Sequence, residues 1–175
     1  MLQKNIKQVI ISLISELDFY FVENGFLRRS NSLTYIRKLD GVTQNVEIVF
    51  FSNPSYHPGA LAHIYPHMQI YIPSVNGITK EYASHLIPSK WLNQFTIRQP
   101  IQIYSNSGGF YLLDVNDYES LKDHLLDFFE KNAIPLLNDI ISEKDYLSLY
   151  ENKDKRIIWD DNQYLYIAAT YLNNH

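Results

Sequence analysis

Cysteine is absent from the 175-residue chain. Disulfides, thiolate nucleophiles and Cys-based zinc sites are therefore excluded together. The absence suits a reducing compartment, and a cytoplasmic location is expected. Glycine is scarce, at six residues, and Gly108-Gly109 has no Lys-Ser/Thr behind it. Neither a P-loop nor a dinucleotide fingerprint can be read, and no cofactor is expected. G-x-S-x-G and H-E-x-x-H are missing as well. Positive charge is not in excess: 15 Lys and Arg stand against 19 Asp and Glu, a net charge of −4. A duplex-binding surface needs the opposite balance, so nucleic acid is not an expected partner. Long hydrophobic runs are also lacking. The apolar N-terminal stretch is interrupted by Ser12, Ser15, Glu16 and Asp18 and has no A-x-A site, which argues against a signal peptide, a membrane span or a membrane partner.

What remains is a chain able to bury a core. It is 46% hydrophobic and 19% charged, with 14 Tyr and 9 Phe. Tyrosine joins a large apolar ring to a polar tip, which suits half-exposed sheet faces and contact surfaces. A biased genome would give the same enrichment. The length fits one domain spanning 1–175, sheet-rich over 1–115 and helical over 116–175.

The periodicities place the elements. Ile6, Val9, Ile10, Leu13, Ile14, Leu17 and Phe21 recur at i, i+3, i+4, the face of one amphipathic helix that Asn24-Gly25 should stop. A short strand is expected near 26–29. The period then falls to two on either side of Asp40-Gly41, a hairpin signal. Residues 52–66 hold Pro54, Pro58, Gly59 and Pro66 and read as a long loop. A strand follows over 67–72, ended by Pro73 and Asn76-Gly77. Tyr82, Leu86, Trp91, Leu92 and Phe95 suggest a short helix or irregular cover. Residues 101–104 and 110–115 suggest a second hairpin around 105–109. Asn116 with Glu119 resembles a capping box for a helix burying Tyr118, Leu121, Leu125, Phe128 and Phe129, which should end or kink at Pro135. Ser142 with Asp145 starts another helix. A last one runs from Asp160 or Asp161, with Tyr164, Ile167, Ala168 and Tyr171 at helical spacing. Strands before helices, without βαβ alternation, give an α+β class: an N-terminal helix, an antiparallel sheet of about five or six strands, and C-terminal helices packed on it.

Three clusters bear chemistry. His57, His63 and His67 lie close in sequence, and imidazoles are frequent transition-metal ligands; loop or rim histidines explain the same spacing. Glu119, Asp123, Asp127 and Glu130 fall on one flank of the long helix and could steer a basic protein partner; a simple solvated face is the plainer reading. Arg28, Arg29, Arg37 and Lys38 gather positive charge near the first hairpin. Arg37 shares a strand face with Leu33 and Tyr35, so it calls for a carboxylate such as Glu47, or an anion. An edge strand guarded by charge is the other reading.

The order of features resembles a bacterial domain-of-unknown-function family (4304-like). The resemblance rests on Gly25-Phe26-Leu27-Arg28-Arg29, the strand Tyr35-Ile36-Arg37, the helix end Ile134-Pro135-Leu136-Leu137, and the start Ser142–Asp145. The chain departs from the family at Phe50-Phe51-Ser52, where a glutamine-rich strand end is usual. The resemblance implies no catalytic residues, and similar small α+β domains occur among toxin-immunity proteins. The expected function is a non-enzymatic bacterial protein-binding module, in its specific form an immunity protein whose partner is a toxin. The alternative is a small-ligand binder or hydrolase using a loop site of His57, His63 and His67.

Overall fold

A computed structural model describes residues 2–83, 85, 88, 94–101 and 109–173. The chain is α+β, with an antiparallel sheet between N-terminal and C-terminal helices. The elements are α1 (Leu2–Glu16), α2 (Asp18–Glu23), β1 (Leu27–Arg28), β2 (Thr34–Leu39), β3 (Val42–Ser52), β4 (Ala62–Tyr71), α3 (Pro73–Ala83), β5 (Ile97–Pro100), β6 (Phe110–Leu112), α4 (Tyr118–Phe128), α5 (Ile134–Asn138), α6 (Glu143–Glu151) and α7 (Asp161–Asn173). The strands pair in the order β1-β2-β3-β4-β5, and β6 also pairs with β4.

The apolar stripe expected over 6–21 is buried from Ile6 to Phe21, but the helix breaks at Leu17, where a tighter turn donates Leu17 N–H to Ile14 O at 3.0 Å. The stop at Gly25 is a Schellman motif. Gly25, at φ +79°, donates to Val22 O while Phe26 donates to Phe21 O, both at 2.9 Å. Asp40-Gly41 turns the β2–β3 hairpin with Leu39 opposite Val42. That register fixes two faces. One carries Tyr35, Arg37, Gln44, Val46 and Ile48, continued by Ile64, Met68 and Ile70 of β4, and packs against the helices. Phe21 joins the layers, stacked on Tyr35 at 3.8 Å and edge-on to Phe129 at 4.9 Å.

Buried glutamines stitch the C-terminal helices to this face. Gln44 Nε2 donates to Leu137 O and Ile140 O, at 2.7 and 2.8 Å. Gln99 donates to Arg156 O at 2.7 Å and accepts from Ile158 N–H at 2.9 Å. Gln163 donates to Thr96 O at 2.7 Å and accepts from Tyr146 Oη at 2.9 Å. These amides supply hydrogen bonds to backbone carbonyls and N–H groups at the ends of, and between, the helices and strands.

Several sequence expectations change. The loop over 52–66 shrinks to 53–61, because β4 starts at Ala62 and includes Pro66. Pro66 tolerates a central strand because its carbonyl, bonded to Ile101 N–H at 2.9 Å, faces the seam between β5 and β6. Its missing N–H therefore interrupts no ladder bond. Asn76-Gly77 ends no strand; both lie inside α3, which opens on Pro73, a residue suited to a first helical turn. β5 and β6 both pair with β4, end to end along one edge, and the turn of the expected second hairpin falls between them. Residues 102–108 of that expectation, with Leu86, Trp91 and Leu92, lie outside the described residues. Asn116 is not the cap of α4. Its N–H donates to Asp114 Oδ1 at 2.8 Å in a preceding 3₁₀ turn, and α4 begins after Asp117. At Pro135 the helix neither ends nor snaps. A π turn over Phe129–Ala133 widens the path just ahead of it, easing the clash a proline ring makes with the carbonyl four residues back. In α7 the buried face runs through Gln163, Tyr166, Ile167, Ala169 and Thr170, while Tyr164 is half exposed. Ser142 does cap α6, accepting from Asp145 N–H at 3.2 Å.

Candidate functional site

Strand alternation turns the other set of sheet side chains away from the face that packs on the described helices. This outward face carries Leu27, Ile36, Phe51 and Tyr71, which are 68%, 37%, 50% and 37% exposed. Its charge is sparse. Glu47 is held in a short polar ladder, with Gln69 Nε2 donating to its carboxylate at 2.5 Å and Asn45 Nδ2 donating to Gln69 Oε1 at 3.2 Å.

The three histidines meet on this face, though not at one point. With Pro66 inside β4, His63 and His67 are four residues apart on a strand and share the outward side with Tyr65 between them. His63 lies opposite Tyr111 of β6 and stacks on it at 4.3 Å. His57, from the 53–61 segment, stacks on the same ring at 4.2 Å. The phenol of Tyr56 meets His63 Nδ1 at 2.7 Å. The result is an interleaved ladder of imidazoles and phenols. Among the described residues no three His, Cys, Asp or Glu side chains come together to hold a metal ion. Three ring nitrogens, His57 Nδ1, His63 Nε2 and His67 Nδ1, are buried and have no hydrogen-bond partner among the described residues. Burial, and secondarily the nearby His57, pushes the His63 pKa below the ordinary histidine value. Burial likewise lowers that of His67, against the opposing pull of Glu47.

Beside the ladder a cleft of about 360 Å³ runs between β6 and α4, lined by His57, Tyr111, Asp117, Ser120, Leu121 and His124 among others. Asp117 Oδ2 accepts from Asp114 N–H at 3.0 Å. The sequence reading missed Tyr56, Tyr65, Tyr111 and His124. Tyr65 was legible from the period-two spacing of His63, Tyr65 and His67, once Pro66 is allowed in a strand.

Arg37 and Glu47 do not pair. The hairpin register sets Arg37 opposite Gln44 on the helix-covered face and Glu47 opposite Thr34 on the other. Arg37 Nε donates to Gln44 Oε1 at 2.8 Å, its Nη1 to Asn138 Oδ1 at 2.8 Å and Asn24 O at 3.2 Å, and the guanidinium lies 4.6 Å from the Phe26 ring centroid. Its Nη2 is buried and unpartnered. Burial pulls its pKa down. The basic cluster dissolves likewise, since Arg28 is bound to Asp18.

Glu119, Asp123, Asp127 and Glu130 are all exposed on one flank, as the helical spacing predicts. Lys122 neutralises Glu119 and also reaches Glu16 of α1 at 3.1 Å, while Lys131 pairs with Asp127 at 2.5 Å. The stripe is thus partly an intramolecular tether. A second cleft, of about 420 Å³, is lined by Asp139, Asp145, Ser148, Asp154 and Arg156 among others. Arg156 is already bonded to Asp139 and Asp154 at 2.8 and 2.7 Å. No helix among the described residues is long and apolar enough to cross a membrane. Comparison of the chain with family models, with characterised proteins and with solved structures found no match.

Proposed function

We propose that the protein is a non-enzymatic recognition module that receives a protein partner on the outward face of its sheet. The observation that carries this reading is the one-sided architecture: helices cover one face, while Leu27, Ile36, Phe51 and Tyr71 stay exposed on the other. Rigid aromatic and aliphatic side chains on a preformed surface are the usual anchors of protein interfaces. Partly neutralised by Lys122 and Lys131, the acidic flank of α4 has the weaker claim; Asp123 and Glu130 are its remaining steering charges. The resemblance to immunity-associated domains supports a toxin as the partner. A photo-crosslinking residue at Phe51 or Ile36 should trap a protein in cells of the source organism that the same residue at Asp123 does not. Capture from Asp123 alone, or from none of the three positions, discards the sheet-face reading. The captured partner expressed by itself should arrest growth; a harmless partner removes the immunity role and leaves recognition standing.

A second reading, small-ligand binding or hydrolysis, draws support from the cleft that His57 shares with Ser120 and His124. Among the described residues, His57 and His124 are the histidines that line it, and His63 and His67 do not. A thermal shift with zinc, nickel or manganese that His57→Ala and His124→Ala abolish would favour it, and no shift with any of them removes its metal form.

A further inference from the structure

We propose that segment 53–61 is a flap, latched to the sheet by neutral His63 and released when that imidazole takes up a proton. The segment leaves β3 and rejoins β4 through backbone conformations that allow a hinge: Asn53 at φ +47° and Gly59 at φ +93°. Its neck is closed by Asn53 N–H donating to Leu61 O at 3.0 Å, and Leu61 N–H donates to Leu112 O of β6 at 2.7 Å. Between these points it touches the sheet through Tyr56 on His63 and His57 on Tyr111, with Pro54 and Ala60 buried at its base.

The Tyr56 contact holds a ring that is buried in the closed flap, where a charge is costly. His63 is 5% exposed, and its Nε2 has no hydrogen-bond partner among the described residues. In the neutral ring Nδ1 either accepts from the Tyr56 hydroxyl or donates to it, and the latch holds in both tautomers. Protonation leaves a charged Nε2–H buried without a partner, a costly state. Among the described residues, the groups facing His63 offer no counter-charge: Tyr56 and His57 from the flap, Tyr65 on its own strand, Tyr111 on β6, and Phe51 opposite it on β3. Asp117 and His124 of α4 face the cleft behind His57 and Tyr111, and Glu47 acts on His67. Attraction of the cation to the Tyr65 and Tyr111 rings offsets part of the cost, but those rings replace none of the lost solvation. Swinging the flap out returns the ring to water.

The test is hydrogen exchange of the Asn53 and Leu61 amides between pH 7.5 and 5, corrected for intrinsic rates, alongside an NMR titration of the histidine rings. The flap-opening equilibrium should rise up to about tenfold for each pH unit below the ordinary histidine value. His63 should titrate below 6.5, the slope should vanish in His63→Gln, and it should persist in His67→Gln. Tyr56→Phe should raise opening several-fold at pH 7.5 and keep the slope, which covers the case of an unfolded His63→Gln. An unchanged slope in His63→Gln, a slope lost instead in His67→Gln, a His63 titration at or above 6.5, or a Tyr56→Phe flap as closed as the original at pH 7.5 would overturn the latch.

Discussion

Arg28 and Asp18 meet through two parallel charge-assisted bonds, Nε to Oδ1 and Nη2 to Oδ2, each 2.7 Å long. The pair ties the short edge strand β1 to the first turn of α2. The Tyr35 hydroxyl lies 2.8 Å from Asp18 Oδ1 and 2.6 Å from Ile14 O, so β2 and α1 are drawn into the same knot. The helix break at Leu17 thus falls next to the residue that anchors both helices to the sheet.

This knot should give stability that acid removes. The Arg28 bond, with help from Tyr35, holds the Asp18 carboxyl below its ordinary value of 3.8. A depressed folded pKa means the contribution is complete above 3.8 and is lost as pH falls through the lower, folded value. Asp18→Asn should therefore lower the unfolding temperature at neutral pH and flatten its decline on acidification. A variant whose melting temperature falls with acid as steeply as that of the parent would show that the pair carries no folding linkage.

Gln44 has no exposed surface and serves three partners. Gln44→Leu would strand the carbonyl of Ile140, leave that of Leu137 with only the Ile140 N–H, and leave Arg37 Nε unpaired. Since buried unsatisfied groups cost about 1–3 kcal/mol each, a loss on the order of 3 kcal/mol is expected in urea denaturation. The α5–α6 junction should lose amide protection first. Gln44→Glu, which keeps an acceptor for Arg37 but loses the two donated bonds, should also destabilise. A change below about 0.5 kcal/mol for Gln44→Leu, the ordinary range for surface sites, would refute the clamp.

Local signals in the sequence located what depends on local physics. Asp40-Gly41, the Gly25 stop, the Ser142 cap and the stripe from Leu121 to Phe129 each rest on a few adjacent residues, and each is present. The Arg37–Glu47 pairing was avoidable, because a two-residue turn at 40–41 sets Arg37 opposite Gln44 and turns Glu47 to the other face. Pro66 misled because its tolerance depends on a seam between two other strands, which no local window contains. The pairing of β6 with β4 is of the same kind: glycines announce a turn without naming the strand that pairs beyond it. The α7 face slipped because polar Gln163 is buried to serve Thr96 and Tyr146, while apolar periodicity places only apolar side chains. The ladder of His57, Tyr111 and His63 needed the β4–β6 register, and so lay beyond sequence.

Two glycines with open space around the missing side chain should respond to alanine with opposite signs. Neither Gly41 nor Gly77 has an atom within 4 Å of an added Cβ. Gly77 lies inside α3 in ordinary helical backbone, so Gly77→Ala should stabilise the protein by about 1 kcal/mol through helix propensity and a less free unfolded chain. Gly41 turns the hairpin at φ +75°, a conformation in which a side chain costs about 1 kcal/mol. Thermal unfolding of the two single variants checks this. The same sign for both would mean that backbone conformation does not decide the outcome at one of the sites.

Gly109 differs from both, since the space beside it is already taken. A Cβ there would run into the Tyr111 ring, which is the shared plate between His57 and His63. The ring is the far end of a rotatable side chain, so it can swing aside, and Gly109→Ala should cost little global stability. The ladder should suffer instead: His57 loses its stacking partner, and His63 loses the ring that covers one side of it. Aromatic NMR shifts of both histidines should move toward those of free imidazole, and the His63 ring should titrate closer to 6.5 as its burial lessens. Tyr111→Leu, which leaves Gly109 its space but removes the phenol ring, should reproduce the His57 and His63 shifts. Unmoved histidine resonances in both variants would mean that Tyr111 does not organise this face of the sheet.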